Sequence, residues 1–358
     1  MLYNMFLGLC SQLGLTVSPL FDFPSGSPCQ YHANMTISIS QTNSPKEMKN
    51  TIISIGTHRL SFSISGPPRV RHEPLVVIIP GSGDVASSYA AVEPLVAQFA
   101  RILLYDRSGL GNSERGPNPP LAVTSAIELH KLLQATKQQP PLLLAAHSYG
   151  GIIAREYYHL YPNEVSGMVL FDTATERNLE YFQVPDPNIT AVLGDLKMAQ
   201  VTGLRADAKL SRDQWRQRAI DMARGGEIAQ AEADGDAVVE VCRVLREKEQ
   251  LDRQAMGDKP LSVIRCNSAR DYERIYAAGV EAGNGTEAQQ RAFRRTLDQW
   301  ESAMQDLSND QLRLSSKTNF VYLHDCGHNV QLVRPDVVAE EIKWVLDQMR
   351  EGRDIQRL

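Results

Sequence analysis

The feature of this sequence that most constrains its fold is a regular alternation of short apolar runs with helical patterns, beginning near Thr51. Eight β-branched or aliphatic runs are predicted strands, at residues 51–55, 60–64, 75–79, 102–105, 142–146, 168–171, 261–264 and 320–323. Helical patterns follow from the third run onward, near residues 89–100, 124–136, 149–161 and 335–349. Continuous apolar strands separated by helices are typical of a mostly parallel sheet covered on both faces. We therefore expect an eight-stranded α/β fold whose first two strands form an antiparallel hairpin at one edge.

Residues 175–259 break this alternation, because they contain helical signals but no strand-like run. Ser211 and Gln214 have the spacing of a capping box, which predicts the start of a helix there. Thr286 and Gln289 repeat this spacing before a second long helix. The predicted organisation is a flexible N-terminal extension at 1–50, an α/β core at 51–174 and 260–358, and a helical cap at 175–259.

Composition and charge exclude several classes of protein. The 42% of hydrophobic residues are enough for a full-sized core and argue against a disordered or fibrous chain. The 37 Lys and Arg residues against 42 Asp and Glu residues give a net charge of −5, so no basic excess is available to neutralise nucleic acid. The five cysteines are scattered without C-x-x-C spacing, which favours a reducing compartment. Polar residues interrupt the uncharged N-terminal segment at 1–21, so a membrane span is not expected. We expect a cytoplasmic protein, with a weak secretion signal at the N-terminus as the alternative.

The strand predicted at 142–146 runs directly into His147-Ser-Tyr-Gly-Gly151 and then into a helical pattern. A nucleophilic serine on a strained strand-to-helix turn needs small residues two positions before and after it, and Ala146 and Gly150 meet that need. The turn would expose the Ser148 hydroxyl beside a helix N-terminus, where a developing anion is stabilised. The alternative is that this segment is only a tight turn into a helix.

A serine hydroxyl becomes a nucleophile only when a neighbouring base takes its proton. His328 follows the last predicted strand and would lie at the same edge of the sheet as Ser148. An oxyanion hole needs two N–H donors, for which we expect the amide of Tyr149 and that of Ser82 in the Gly-rich loop after the third strand. A plain glycine turn is the alternative for that loop. No spacing typical of a metal site accompanies these residues, and no metal or cofactor is expected.

Over residues 52–349 the sequence resembles the α/β-hydrolase superfamily. The resemblance depends on Pro80-Gly-Ser-Gly83, Tyr105-Asp-Arg-Ser-Gly-Leu-Gly-Asn-Ser113, the segment at 147–151 and Gly327-His-Asn-Val-Gln331, which follow one another in the family's order. Many members carry His-Gly where this sequence has Pro80-Gly81, so Pro80 replaces the histidine. The resemblance implies the α/β-hydrolase fold and transfer of an acyl group to water. Ser148 at the elbow, instead of Asp, argues against the haloalkane dehalogenases and epoxide hydrolases.

Two carboxylates could orient His328. Asp172 ends the sixth predicted strand, 24 residues after Ser148, a position that some members of the superfamily use. Asp271 follows the seventh strand, the commoner position in the superfamily, 57 residues before His328. We favour Asp172. A strand-end Asp is also often only a turn former or a helix cap.

Two competing functions use the same residues differently. Gly81-Ser-Gly83-Asp-Val-Ala86 matches a dinucleotide-binding turn, with Asp106 as its ribose ligand, but this interpretation leaves Ser148 and His328 unexplained. Related scaffolds also serve as lyases, cyclisation catalysts or ligand receptors, because fold does not determine function. The favoured prediction is a serine hydrolase acting on an ester, lactone or thioester of a small, moderately hydrophobic molecule. Similarity to hydrolases of bacterial and fungal metabolite pathways suggests a substrate from secondary metabolism.

Overall fold

The computed structural model describes residues 51–70 and 72–355, so the segment expected to be an N-terminal extension lies outside the described residues. Eight strands form one sheet and occupy the eight predicted segments. They are β1 (Thr51–Ser54), β2 (Arg59–Ser65), β3 (Leu75–Ile79), β4 (Arg101–Tyr105), β5 (Leu142–His147), β6 (Val165–Phe171), β7 (Leu261–Cys266) and β8 (Thr318–Leu323). Their order is β1-β2-β4-β3-β5-β6-β7-β8. β1 pairs with β2 and β2 with β4 in antiparallel fashion, and all other pairs are parallel, which confirms the predicted fold class.

The central strands are buried on both faces, as their continuous apolar sequences predict. Every residue of β3, β5 and β7 is buried. Successive side chains of β3 enter opposite layers: Val77 belongs to one apolar cluster and Val76 to the other. Helices therefore have to cover both faces of the sheet.

The helices of the described part follow in chain order. They are α1 (Glu93–Val96), α2 (Ala122–Ala135), α3 (Gly150–Leu160), α4 (Asn178–Tyr181), α5 (Pro187–Leu193), α6 (Met198–Val201), α7 (Leu204–Asp207), α8 (Arg212–Arg224), α9 (Gly226–Glu232), α10 (Gly235–Arg246), α11 (Ser268–Glu281), α12 (Glu287–Leu312), α13 (Val330–Val333) and α14 (Pro335–Ile355). We call α4 to α10, which lie between β6 and β7, the inserted helices. Helices α2 and α3 contribute to the apolar cluster that contains Val77, and α14 contributes to the one that contains Val76. None of the helices in residues 51–70 and 72–355 has the length and apolar character required to cross a bilayer.

Both predicted capping boxes form. Ser211 begins α8 and Thr286 begins α12, each with the reciprocal hydrogen bonds to the Gln three residues later. The helix predicted near 89–100 is wrong in its extent, because the chain forms a 3₁₀ turn at Ala86–Tyr89 and then the single turn α1. Pro94 lies in the first turn of α1, and its missing N–H allows a helix to start there but not to run through from Tyr89. Sequence patterns predicted no helix at the position of α11 (Ser268–Glu281).

Two buried ion pairs attach the inserted segment, by which we mean the chain between β6 and β7, to α3. Helix α3 follows the strand-to-helix turn at residues 147–151, which we call the elbow. Arg155 donates two hydrogen bonds to Glu176, at 2.5 and 2.8 Å. Lys248 contacts Glu156 at 2.5 Å. The side chains of Arg155, Glu176 and Glu156 are nearly inaccessible to solvent, and that of Lys248 is partly buried. Breaking a buried pair by removing one partner costs about 3–5 kcal/mol, so these contacts fix where the inserted segment lies.

The close contact of α3 with β3 yields a test of the fold. A Cβ atom on Gly150 would lie 2.2 Å from the Ile79 carbonyl oxygen and 2.8 Å from that of Pro80. Since these neighbours are backbone atoms, Gly150→Ala should lower the free energy of unfolding by about 3 kcal/mol or more in a urea titration. His159→Ala, at an exposed position of the same helix, should change the free energy of unfolding by less than about 0.5 kcal/mol. Equal stability of the two variants would show that α3 does not approach β3 this closely.

Candidate active site

Ser148 follows directly after β5 in a strained conformation. Its φ angle is +53°, in the left-handed region that non-glycine residues seldom adopt. The Ser148 N–H donates to the Phe171 carbonyl at 3.4 Å, and the side chain is largely buried. Gly150 and Gly151 provide the room for this turn, because a Cβ atom on Gly151 would lie 2.4 Å from Thr173 Cβ. The local geometry is that of the sharp strand-to-helix turn expected from the sequence.

Asp172 occupies the matching position on the neighbouring strand. The register pairs His147 of β5 with Phe171 of β6, so the next residues, Ser148 and Asp172, leave the same edge of the sheet side by side. Asp172 also has a positive φ, +49°. Its N–H donates to the Ile264 carbonyl at 2.7 Å, which fixes its main chain against β7.

The ring of His328 is hydrogen bonded to Asp172. Nδ1 lies 2.5 Å from Asp172 Oδ2, and the other carboxylate oxygen accepts the Cys266 N–H at 2.9 Å. Because the carboxylate accepts, Nδ1 carries a proton, and in the neutral form of the ring Nε2 has a free lone pair. Nε2 is buried and has no hydrogen-bond partner within residues 51–70 and 72–355. Ser148 Oγ therefore makes no hydrogen bond to Nε2 in this structure. An imidazole held in this tautomer can accept a proton from a hydroxyl that reaches Nε2.

Asp271, the other candidate acid, contacts the main chain of the same loop. It lies in the first turn of α11, and its Oδ2 accepts the His328 N–H at 3.0 Å. A Cβ atom on Gly327 would lie 2.1 Å from this oxygen, so any other residue before His328 would displace the Asp271 carboxylate. Burial raises the pKa of Asp271. Of the two carboxylates, Asp172 contacts the ring and Asp271 holds the backbone.

His147 connects the elbow to the loop that carries His328. Its Nε2–H donates to the His328 carbonyl at 2.9 Å, and its ring stacks on Phe171 with centroids 5.5 Å apart. Burial, and after it the His328 ring, lowers the pKa of His147 to about 4, so this side chain is neutral at neutral pH. A neutral donor can hold the His328 loop without adding a charge beside the base.

The Gly-rich loop after β3 borders the elbow. A Cβ atom on Gly81 would lie 3.1 Å from Ser148 Cβ, so the loop backbone approaches the serine closely. The Gly83 N–H donates to Glu232 at 2.8 Å and the Asp84 N–H to the Gly81 carbonyl at 3.1 Å, so these two amides already have acceptors. Ser82 directly precedes Gly83, between the two glycines of the loop. On the other side of Ser148, Tyr149 is the N-cap of α3.

Sequence reasoning missed Arg107 and Glu232, which hold this loop. Arg107 donates to the carbonyls of Pro80 and Gly81, each at 2.7 Å, and to both carboxylate oxygens of Glu232. Arg107 lies in the segment at 105–113, on which the family resemblance depends. Its position in that segment was the sequence signal that could have identified it. Glu232 lies 125 residues further along the chain, and no spacing rule connects the two.

The dinucleotide interpretation requires a free Asp106, which the structure does not provide. Asp106 Oδ1 accepts the Ala86 N–H at 2.8 Å, and Oδ2 accepts the Asn112 N–H at 3.0 Å. Burial raises the pKa of Asp106 to about 6. This carboxylate stabilises two loops and is not presented to a ligand. No cluster of three or more metal-ligating side chains occurs in the described part of the chain.

Comparisons with known proteins agree with this fold. The model of the alpha/beta hydrolase family matches residues 76–341. A protein of Hormonema carpetanum named as a probable transporter is 31% identical over 314 residues, which are 86% of this chain but only 44% of that relative. An AB hydrolase superfamily protein of Gibberella zeae is 25% identical over 303 residues, covering 82% of this chain and 92% of the relative. The crystal structure of a candidate lipase from Acinetobacter baumannii superposes with a TM-score of 0.62 at 16% identity, covering 85% of this chain and 93% of that one.

The burial of neutral His147 predicts how stability depends on pH. In the unfolded chain this histidine takes up a proton near pH 6.5, but in the folded protein only near pH 4. The unfolded state therefore holds more protons in this interval, and the free energy of unfolding should fall as the pH decreases from 6.5 toward 4. One proton corresponds to a slope of about 1.4 kcal/mol per pH unit.

His147→Gln retains an N–H donor for the His328 carbonyl but does not titrate. In urea titrations between about pH 4 and pH 7, the free energy of unfolding of this variant should therefore fall less steeply as the pH decreases. The difference in slope should be up to about 1.4 kcal/mol per pH unit, which corresponds to one proton. His159→Gln, which replaces an exposed histidine, is the control for the substitution itself. A wild-type slope in His147→Gln would mean that His147 is protonated in the folded state.

Proposed function

Because the chain belongs to the alpha/beta hydrolase family, we propose that it is a serine hydrolase that cleaves its substrate through an acyl-enzyme. The observation that carries the proposal is the buried hydrogen bond between Asp172 and His328, at the sheet edge where Ser148 has a strained backbone. Such an arrangement activates a hydroxyl, whereas a purely structural role would not need a buried imidazole with a free Nε2.

In the proposed reaction, His328 Nε2 takes the proton of the Ser148 hydroxyl while its oxygen attacks the carbonyl carbon of the substrate. The carbonyl oxygen becomes an oxyanion and receives hydrogen bonds from the amides of Ser82 and Tyr149. Asp172 stabilises the imidazolium, which then protonates the leaving group as the acyl-enzyme forms. A water molecule, deprotonated by His328, attacks the acyl-enzyme, and the proton returns to Ser148 when the acid leaves.

The substrate class follows from the surroundings of the site. We propose that the inserted helices act as a cap over the pocket. Apolar residues of the inserted helices form one buried cluster with residues of the core loops: Val85, Leu110, Met222, Ile228 and Ala229. A pocket bordered by such residues would favour a small, moderately hydrophobic ester, lactone or thioester. A substrate from secondary metabolism and a cytoplasmic location stay predictions.

The proposal is tested with a fluorophosphonate probe and a short-chain nitrophenyl ester. The wild-type protein should gain the mass of one probe adduct and release nitrophenol. Ser148→Ala should do neither, since loss of the nucleophile in comparable sites lowers turnover by about 10⁶-fold. A folded wild-type protein without an adduct would contradict the serine mechanism and favour a non-hydrolytic lyase, cyclisation catalyst or ligand receptor.

Isosteric amides distinguish the two carboxylates. Asp172→Asn would present an NH₂ group to His328 Nδ1 and stabilise the wrong tautomer, so kcat for the nitrophenyl ester should fall by about 10⁴-fold. Asp271→Asn keeps an oxygen that can accept the His328 N–H, and kcat should stay within about tenfold of wild type. If the two variants showed the reverse pattern, Asp271 would be the orienting acid.

A further inference from the structure

A carboxylate from the inserted helices holds the loop that borders Ser148. Glu232, the last residue of α9, accepts the Gly83 N–H at 2.8 Å. The same carboxylate receives hydrogen bonds from Arg107 Nε at 2.9 Å and Nη2 at 2.8 Å. Both side chains are about 2% exposed or less. Although burial works against the charge of Arg107, the Glu232 carboxylate raises the pKa of its guanidinium, so the two form an ion pair.

Arg107 sets the orientation of two peptide groups in this loop. Its guanidinium donates to the Pro80 and Gly81 carbonyls. In a planar trans peptide, the carbonyl of one residue and the N–H of the next point in opposite directions. The Gly81 carbonyl faces Arg107, so the Ser82 N–H faces away from it. The Pro80 carbonyl orients the Gly81 N–H in the same way.

This orientation needs an external constraint because the loop is rich in glycine. Gly81 lacks a Cβ, and Gly83 has a φ of +61°, so the peptide groups between them can rotate at low cost. The hydrogen bonds of Arg107 hold the first part of the loop, and Glu232 holds Gly83 directly. Loss of the carboxylate would leave the Arg107 charge buried without a counter-ion and free the Gly83 N–H at once.

We propose that Glu232 is a positioning residue for the oxyanion hole: through Arg107 and Gly83, it keeps the Ser82 amide directed toward the carbonyl oxygen of a substrate at Ser148. This inference rests on the proposed serine mechanism. It also means that the inserted helices, which supply Glu232, complete the catalytic geometry of the core and do more than enclose the substrate.

The chain contains a matched control. Glu176 is also buried, it also forms a two-pronged ion pair with a buried arginine, Arg155, and it also joins the inserted segment to the core. It does not contact the loop after β3. Glu232→Gln and Glu176→Gln therefore remove the same charge from equally buried pairs, and only the first change concerns the oxyanion hole.

The experiment measures kcat and KM for a nitrophenyl ester per active site, with the active sites counted by complete fluorophosphonate labelling. Glu232→Gln should lower kcat by about 10- to 100-fold and leave KM within about threefold of wild type. Complete loss of an oxyanion donor lowers kcat by about 10²–10³-fold, whereas this change only weakens the constraint on one donor, the Ser82 amide. Binding of a trifluoromethyl ketone, which forms an oxyanion on Ser148, should weaken in parallel. Glu176→Gln should keep both values within about threefold of wild type. Equal effects of the two variants would overturn the proposal.

A second variant covers the case in which Glu232→Gln does not fold. Replacing both partners, Arg107→Met with Glu232→Leu, removes the buried charges together, a change that proteins often tolerate in stability. This double variant should fold and label with the probe but show the same loss in kcat, and a wild-type kcat would overturn the proposal. If the wild-type protein does not react with the probe, the proposed serine mechanism is wrong. If the wild-type protein reacts and the Glu232 variant keeps the wild-type kcat, only the proposed role of Glu232 is wrong.

Discussion

The arrangement of the candidate site depends on the parallel register of β5, β6 and β7. Parallel strands bring their carboxyl ends to one edge of a sheet, and the pairing of His147 with Phe171 places Ser148 and Asp172 as neighbours there. The next strand continues the pattern, because Ile264 and Cys266 of β7 hold the main chain and side chain of Asp172. A shift by one residue would reverse the face of every side chain. The buried apolar residues of these strands therefore determine the geometry of polar residues beyond their ends.

Ionisable side chains of the described part contact the site in pairs, each with a separate task. Asp271 and His147 fix the backbone of the His328 loop from two sides, and neither adds a partner to Nε2. Arg107 and Glu232 fix the loop after β3. A buried charge without a partner would be costly, whereas a buried pair with satisfied hydrogen bonds can be retained for the conformation it imposes. Here the imposed conformation is that of main-chain amides next to a serine.

Local patterns in the sequence were sufficient for the fold and for much of the site. The eight strands were predictable because each contains a short β-branched or aliphatic run, and the start of α8 was predictable because a capping box is a local signal. The extent of the helix near Tyr89 was not, since hydrophobic periodicity there also fits a 3₁₀ turn followed by a single helical turn at Pro94. The sequence favoured Asp172 over Asp271 by its position in the chain relative to Ser148, but it could not assign their contacts, because both follow strands that end at the same edge. Only the three-dimensional path of the chain shows that one contacts the ring and the other the backbone.

Glu232 illustrates what sequence patterns cannot supply. Its hydrogen-bond partners lie in two loops of the core, and its own helix has only seven residues. A short helix in an insertion has weak local signals, and its residues acquire a role only through the contacts made on docking. Since Glu232 is buried at the junction of α9 with the loop after β3, separating the inserted helices from the core would expose this ion pair and release the loop. If the inserted helices cap the site as proposed, enclosure of the site and orientation of its amides depend on the same contact, and a site that is open at this junction would lack its constrained loop.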